Sequence, residues 1–376
     1  MVIPRSVSDF FARESRETPY LVVSLDKAEA NYRALVEAMP VALHHYAIKA
    51  NPHPELLERL AELGCRFECA SVTEIETCIR AGARAEDILY GNPLKKAREI
   101  AAAHALGVRQ YVFDAELELE KIATHAPGAQ VICRIVTDGH GAVSPLSIKF
   151  GCPADKAEQW LLRAVDLGLV PYGISFHTGS QQLEPASWEK PVADAAGIFT
   201  RLKKRGITTL RVVDVGGGFP VAYRSDVPGI DVFGTAINGY ITNYFGADAP
   251  LVYTEPGRYM AGDAGYILAE VVMVSPSHEP GSDHRWVYLD IGRYGGLVEE
   301  KIDYPVVCDQ AGGTGPVILA GQTCDSNDVI YPASFGYELP MALKPGDRVV
   351  LAHTGAYTTT YSTTLNGFPL LSSLCI

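Results

Sequence analysis

Three stretches of this sequence place reactive side chains where apolar runs give way to glycine, proline or polar residues. In Tyr46-Ala47-Ile48-Lys49-Ala50-Asn51, Lys49 closes an apolar run that begins near Leu43 and is followed at once by Asn51-Pro52. A surface lysine where a strand meets its loop accounts for that placement. So does an amine held at a rigid strand end, partly desolvated, whose neutral form can condense with a carbonyl group. Asp214-Val215-Gly216-Gly217-Gly218-Phe219-Pro220 sets three glycines where a strand turns toward a helix, which leaves backbone N–H groups open to an anion. A tight turn alone reads the same way. Glu255-Pro256-Gly257-Arg258 adds an arginine able to meet the same anion, and a carboxylate three residues earlier that cannot reach the same atom. Together they suit one ligand with two different ends and a lysine-reactive carbonyl between them.

Such groups need a scaffold that brings them to one place. Apolar runs suited to buried parallel strands occur at 43–49, 66–70, 87–91, 110–114, 130–136, 171–177, 210–216 and 251–255. Helical stretches lie between them at 54–64, 73–82, 94–107, 115–126, 154–169, 187–206 and 234–246, and an amphipathic helix at 26–39 precedes them, with Ala30, Leu35 and Met39 as candidate core positions. Eight alternating units predict an α/β fold, a (β/α)8 TIM-like barrel over 26–260. An open doubly wound sheet is the alternative; the strand count and the absence of a glycine-rich dinucleotide turn after the first strand favour the barrel. Catalytic groups of such a barrel sit at the carboxyl ends of its strands, and those ends are Lys49, Glu68, Asn92, Asp114, Arg134, His177, Gly216-Gly217-Gly218 and Glu255. Asp114 also reads as a helix N-cap. From Ala264 onward the pattern changes to β-rich stretches at Tyr266–Val274, Arg285–Asp290, Gly315–Leu319 and Arg348–Leu351. Residues 261–376 form a C-terminal β domain in this reading, which the strand at 20–25 and the rest of 1–25 join.

Composition narrows the function classes. A chain of 376 residues with 47% hydrophobic content can bury a large core. Its net charge of −12 offers no basic face to a phosphate backbone, so no nucleic-acid partner is expected. No run of 18 apolar residues and no leader pattern predict a cytoplasmic protein with no membrane association. The eight cysteines (Cys65, Cys69, Cys78, Cys133, Cys152, Cys308, Cys324, Cys375) show no paired spacing. They are expected to be free thiols, mostly buried, with no metal site.

A phosphate at one end, a basic ring nitrogen at the other and an aldehyde between them describe pyridoxal 5'-phosphate. Tyr46-Ala47-Ile48-Lys49-Ala50-Asn51, Phe176-His177-Thr178-Gly179-Ser180, Gly216-Gly217-Gly218-Phe219-Pro220, Glu255-Pro256-Gly257-Arg258-Tyr259, Cys324-Asp325 and Gly355-Ala356-Tyr357 together resemble the fold-type III pyridoxal-phosphate decarboxylases. The resemblance is to their bacterial ornithine/lysine decarboxylase branch and runs through nearly the whole chain in order. It implies a barrel like that of alanine racemase, a C-terminal β domain, and a homodimer with two shared active sites. It makes Lys49 the lysine that carries the cofactor, His177 the residue stacked on its ring and Glu255 the partner of the ring nitrogen. Ser180, Gly218, Arg258 and Tyr357 become phosphate ligands, Arg134 lies near the ring, and Glu68, Gly217 and Gly257 are further cofactor-binding positions. Cys324 resembles the family's proton donor and Asp325 its binder of the substrate's distal ammonium, both supplied by the neighbouring subunit, with Tyr357 also beside the substrate.

The resemblance has departures. Many members carry aspartate where Glu68 stands in Phe67-Glu68-Cys69-Ala70-Ser71, so an extra methylene moves a carboxylate toward Lys49. Leu365 stands where eukaryotic relatives have phenylalanine, and the loop after Gly295-Gly296-Leu297 is shorter than in bacterial relatives. The implied activity is decarboxylation of a basic L-amino acid, ornithine or lysine, to putrescine or cadaverine. Decarboxylases of arginine, of diaminopimelate or of a related amino acid in specialised metabolism are the alternatives. Diaminopimelate enzymes of the family usually have glutamate after the cysteine, against which Asp325 argues. A non-catalytic binding homologue would tend to lose Lys49 or the cofactor ligands, which are all present.

Overall fold

The computed structural model describes residues 2–146, 149–277 and 280–376. The chain divides into two compact units: one of residues 29–220 and 227–260, the other of residues up to 28, 221–226 and 261–376.

The first unit is a closed barrel of eight parallel strands in chain order. They are Ala42–Ala47, Arg66–Cys69, Ile88–Tyr90, Gln110–Phe113, Gln130–Arg134, Val170–Ser175, Val212–Asp214 and Leu251–Thr254, and the last closes on the first through Val252 opposite Ala42. Every apolar run singled out in the sequence becomes one of these strands, and each helical stretch becomes a helix. Leu89, Val112, Ile132, Val212 and Tyr253 pack together as an apolar layer within the barrel, with Leu43 and Tyr172 against it. Because side chains alternate along a strand, the next inward positions toward the carboxyl ends after these five are Gly91, Asp114, Arg134, Asp214 and Glu255, where the polar groups begin.

Several details differ from the sequence reading. The first strand stops at Ala47, and Lys49 lies in a 3-10 turn, Ile48–Ala50, rather than on the strand. Ala30 is exposed; Ala28, Tyr32, Leu35 and Met39 form the buried stripe of the helix Leu25–Ala38, and Ala30 lies about 200° around the axis from Ala28. Asp114 does not cap a helix: its Oδ2 accepts the Gly151 N–H at 2.8 Å. The helix Arg5–Arg13, which buries Val7 and Phe11, was not foreseen.

The second unit holds a nine-stranded sheet. Its strand Gly265–Pro276 pairs with Arg285–Leu289, Arg348–Ala352 and Tyr20–Val23, so the early strand does join this sheet. Tyr20–Val23 also pairs in parallel with the terminal strand Ser372–Cys375. Val7, Phe11, Tyr20, Val22, Tyr266, Leu268, Val350 and Ala352 form a core here. Residues 221–226 group with this unit and not with the barrel: Arg224 pairs with Asp303 at 3.3 Å and lies over the Tyr337 ring, and the Ala222 carbonyl is 2.7 Å from His353 Nδ1. All eight cysteines are free, five of them buried, and Cys324 is exposed. Among the described residues no helix is long and apolar enough to cross a membrane.

Candidate active site

The carboxyl ends of the barrel strands gather most of the predicted site. Lys49 Nζ donates to Glu68 Oε2 at 2.7 Å, and the Glu68 side chain is almost wholly buried. Glu255 follows the last strand, where burial, then Asp214 and Glu68, push its carboxyl well above the usual range; Lys49 and Arg134 pull the other way. His177 accepts the Gly179 N–H on Nδ1 at 3.0 Å, which leaves the ring hydrogen of the neutral form on Nε2. Burial, with Arg134 and Lys49 nearby, lowers His177 to about 3, so the imidazole is uncharged near neutral pH.

The glycine turn is shaped for close backbone approach. Gly216 and Gly218 have φ of 68° and 96°. A Cβ on Gly216, Gly217 or Gly218 would strike the carbonyl oxygen of Phe176, Glu255 or Gly179 respectively, so the three residues lie directly against the two neighbouring strand ends. Trp188, stacked on Phe219 with centroids 5.5 Å apart, donates its Nε1–H to the Val215 carbonyl at 3.0 Å and fixes the start of the turn. Arg258 reaches the same place from the helix Arg258–Ala261: its Nη2 donates to Ser180 Oγ at 3.2 Å. Thr178 Oγ1, buried, has no hydrogen-bond partner among the described residues.

Asp214 was read in the sequence only as the start of the glycine turn. Its Oδ1 accepts the Gly216 N–H at 2.9 Å, while Oδ2 is buried without a hydrogen bond of good geometry beside the Glu255 carboxyl. Burial above all pushes Asp214 up to about 6. The signal was strand parity, since Asp214 lies two residues beyond the inward Val212. Asp214 thus ties the glycine turn to Glu255.

Cys324, Asp325 and Tyr357 belong to the β-rich unit. Asp325 Oδ1 accepts the Asn327 N–H at 2.8 Å, and that N–H together with the Tyr294 hydroxyl holds the Asp325 carboxyl below its ordinary value. The Cys324 N–H donates to Asn366 Oδ1 at 3.0 Å. Asp328, unremarked in the sequence, organises this loop: its buried carboxylate accepts the Arg293 N–H at 2.7 Å and both the N–H and the hydroxyl of Thr323. A Cβ on Gly292 or Gly321 would strike that carboxylate, so the two glycines make its pocket. Tyr357 adopts a positive φ of 57°, with its ring 6.3 Å from that of Tyr361.

A phosphate fits the glycine turn with Ser180 and Arg258, a protonated ring nitrogen fits Glu255, and an aldehyde fits Lys49. The comparisons give the same cofactor. Residues 25–262 match the model of the pyridoxal-dependent decarboxylase family, in its pyridoxal binding domain. The chain belongs to this family, and pyridoxal phosphate is its cofactor. A lysine/ornithine decarboxylase of Selenomonas ruminantium is 38% identical over 95% of this chain and 89% of its own. A lysine/ornithine decarboxylase of Vibrio vulnificus, solved with cadaverine, superposes with a TM-score of 0.89 at 30% identity over all of both chains. The arginine decarboxylase of Paramecium bursaria Chlorella virus superposes equally well at 26% identity, covering 99% of each chain. The protein is a pyridoxal-phosphate-dependent amino acid decarboxylase with a TIM-type barrel and a separate β-rich domain.

Proposed function

We propose that the enzyme decarboxylates L-ornithine and L-lysine to putrescine and cadaverine, as a cytoplasmic homodimer in which Cys324 and Asp325 of each subunit serve the barrel of the other. The observation that carries the substrate reading is the short, half-buried Asp325 carboxylate, kept ionised by the Asn327 N–H and the Tyr294 hydroxyl. It offers one negative charge to one distal ammonium. The names of the Selenomonas and Vibrio relatives support the same substrates.

The bound cofactor supplies a cationic ring that absorbs the electrons left when CO2 departs. Lys49 would hold its aldehyde carbon, Glu255 its ring nitrogen, and the glycine turn, Ser180 and Arg258 its phosphate. Gly257 starts the turn that delivers Arg258, and Tyr357 adds a further donor to phosphate or substrate. Glu255, whose buried carboxyl favours the protonated form, can give a proton to a basic nitrogen and then stand opposite the resulting charge. His177, neutral, presents a flat face without setting a second cation against the ring. Arg134 brings positive charge to this cluster of carboxylates. Cys324 is the proton donor to the carbon that has lost CO2, and its exposure leaves the thiol free to reach one.

A panel of ornithine, lysine, arginine and diaminopimelate, assayed for amine release, tests the substrate. Ornithine and lysine should be turned over fastest. Diaminopimelate should react poorly, because its second carboxylate would face Asp325 in a partly dry site. Faster release from arginine or diaminopimelate would overturn the assignment.

A further inference from the structure

Gly91 directly follows the third barrel strand in the inward position next above Leu89, and its N–H donates to the Cys69 carbonyl at 3.0 Å, continuing the ladder between strands two and three. Its backbone is not in the left-handed region, so nothing in the main chain calls for glycine. The call comes from a side chain. A Cβ built on Gly91 would lie 2.7 Å from Glu68 Cγ and 2.8 Å from Cδ, and would strike Oε1, where carbon atoms in good contact stand about 3.5–4 Å apart. The carboxyl end of Glu68 therefore occupies the volume that any other residue at 91 would fill.

We infer that Gly91 is a positioning residue: its missing side chain is the space that lets the longer Glu68 lay its carboxylate against Lys49 and hold the proton of that amine. The inference rests on Lys49 as the cofactor-bearing lysine. An alanine at 91 must push Glu68 aside or be pushed aside itself, because Glu68 is almost wholly buried and lies against the inner wall of the barrel. Turning toward the other carboxylates is unfavourable, since Asp214 and Glu255 are close enough to feel the Glu68 charge. Aspartate at 68 is one methylene shorter and would withdraw from the contested volume, so the fit at 91 depends on the length of the side chain at 68. The turn behind Gly91 is held from below: the buried Lys95 donates to the Asn92 carbonyl at 2.8 Å and the Val112 carbonyl at 2.6 Å and pairs with Glu118 at 3.1 Å. The backbone at 91 cannot easily retreat.

The test compares the wild type with Gly91→Ala, Glu68→Asp and the double variant. Gly91→Ala should lower turnover by about a hundredfold, the cost of misplacing a reacting group by roughly an ångström, and lower the thermal midpoint of the cofactor-free protein. In the Glu68→Asp background the same alanine should cost less than about threefold and leave that midpoint near the Glu68→Asp value. A readout independent of turnover is the pH titration of the visible band of the loaded protein. It should shift to lower pH in Glu68→Asp, because the carboxylate favouring the protonated nitrogen has moved away. Equal losses from Gly91→Ala in both backgrounds, or no pH shift, would overturn the inference. If Gly91→Ala does not fold, the midpoint of the double variant decides: a fold restored by aspartate supports the pairing, and one not restored refutes it. If Lys49 does not carry the cofactor, the band survives Lys49→Ala while the thermal comparison still reads, so the two failures are distinct.

Discussion

The carboxyl ends of the barrel strands and the loop from Gly321 to Asp328 hold the two halves of the chemistry, and they are built in opposite ways. At the barrel, Glu68, Asp214 and Glu255 are carboxyl groups taken out of water among Lys49 and Arg134, and at Asp214 and Glu255 burial sets the protonation state. In the loop, Cys324 is exposed and Asp325 half-buried, and the support beneath them, Asp328 between Gly292 and Gly321, is buried. A buried charge cluster suits a group that must stay in place and be tuned electrostatically. A pair at the surface of a braced loop suits a site that another element completes. The difference matches the proposed division, in which the first region handles the cofactor and the second the substrate.

Substitutions separate the two assignments. The largest effect is expected at Lys49→Ala, which should cost more than about a thousandfold in turnover and abolish the visible absorbance of the protein after dialysis. Colour and activity both surviving would remove the barrel half from the account. Asp325→Ala comes next: leaving the substrate ammonium unpaired in a closed site should cost roughly 3–5 kcal/mol, about two to four orders of magnitude in kcat/KM, with the absorbance unchanged. A loss of cofactor in that variant would blur the division. Glu255→Gln should lower kcat by about two to three orders of magnitude while cofactor affinity, measured by fluorescence titration of the cofactor-free protein, changes far less. Near-normal turnover would mean that another group holds the ring proton, and Asp214 is the nearest candidate.

The barrel was legible because buried parallel strands need continuous apolar runs, and a run such as Gln130–Arg134 keeps its character whatever it packs against. Its ends were less so. Lys49 lies in a 3-10 turn that ends at Asn51, which is extended as a residue before proline should be. In the β-rich unit the long strands were readable, but Val306–Val307, Val329–Tyr331 and Ser372–Cys375 are short and owe their existence to distant partners such as Tyr20–Val23. Lys49 and Arg258 were singled out by their placement and spacing, and Ser180 by the resemblance to the family. Asp214 carried only the signal of strand parity and Asp328 none, since a carboxylate that works by collecting backbone N–H groups shows that role only once the donors are folded around it. Gly91 was hidden for the same reason: an empty volume has meaning only beside the side chain that fills it.

Mixing Lys49→Ala with Asp325→Ala tests the shared-site account most directly. If one subunit's loop serves the other's barrel, a mixed dimer carries one doubly mutated site and one intact site. With random exchange half the dimers are mixed, so about a quarter of wild-type activity should return. Subunit exchange confirmed by an independent label, with no activity regained, would show that each site is built within one chain.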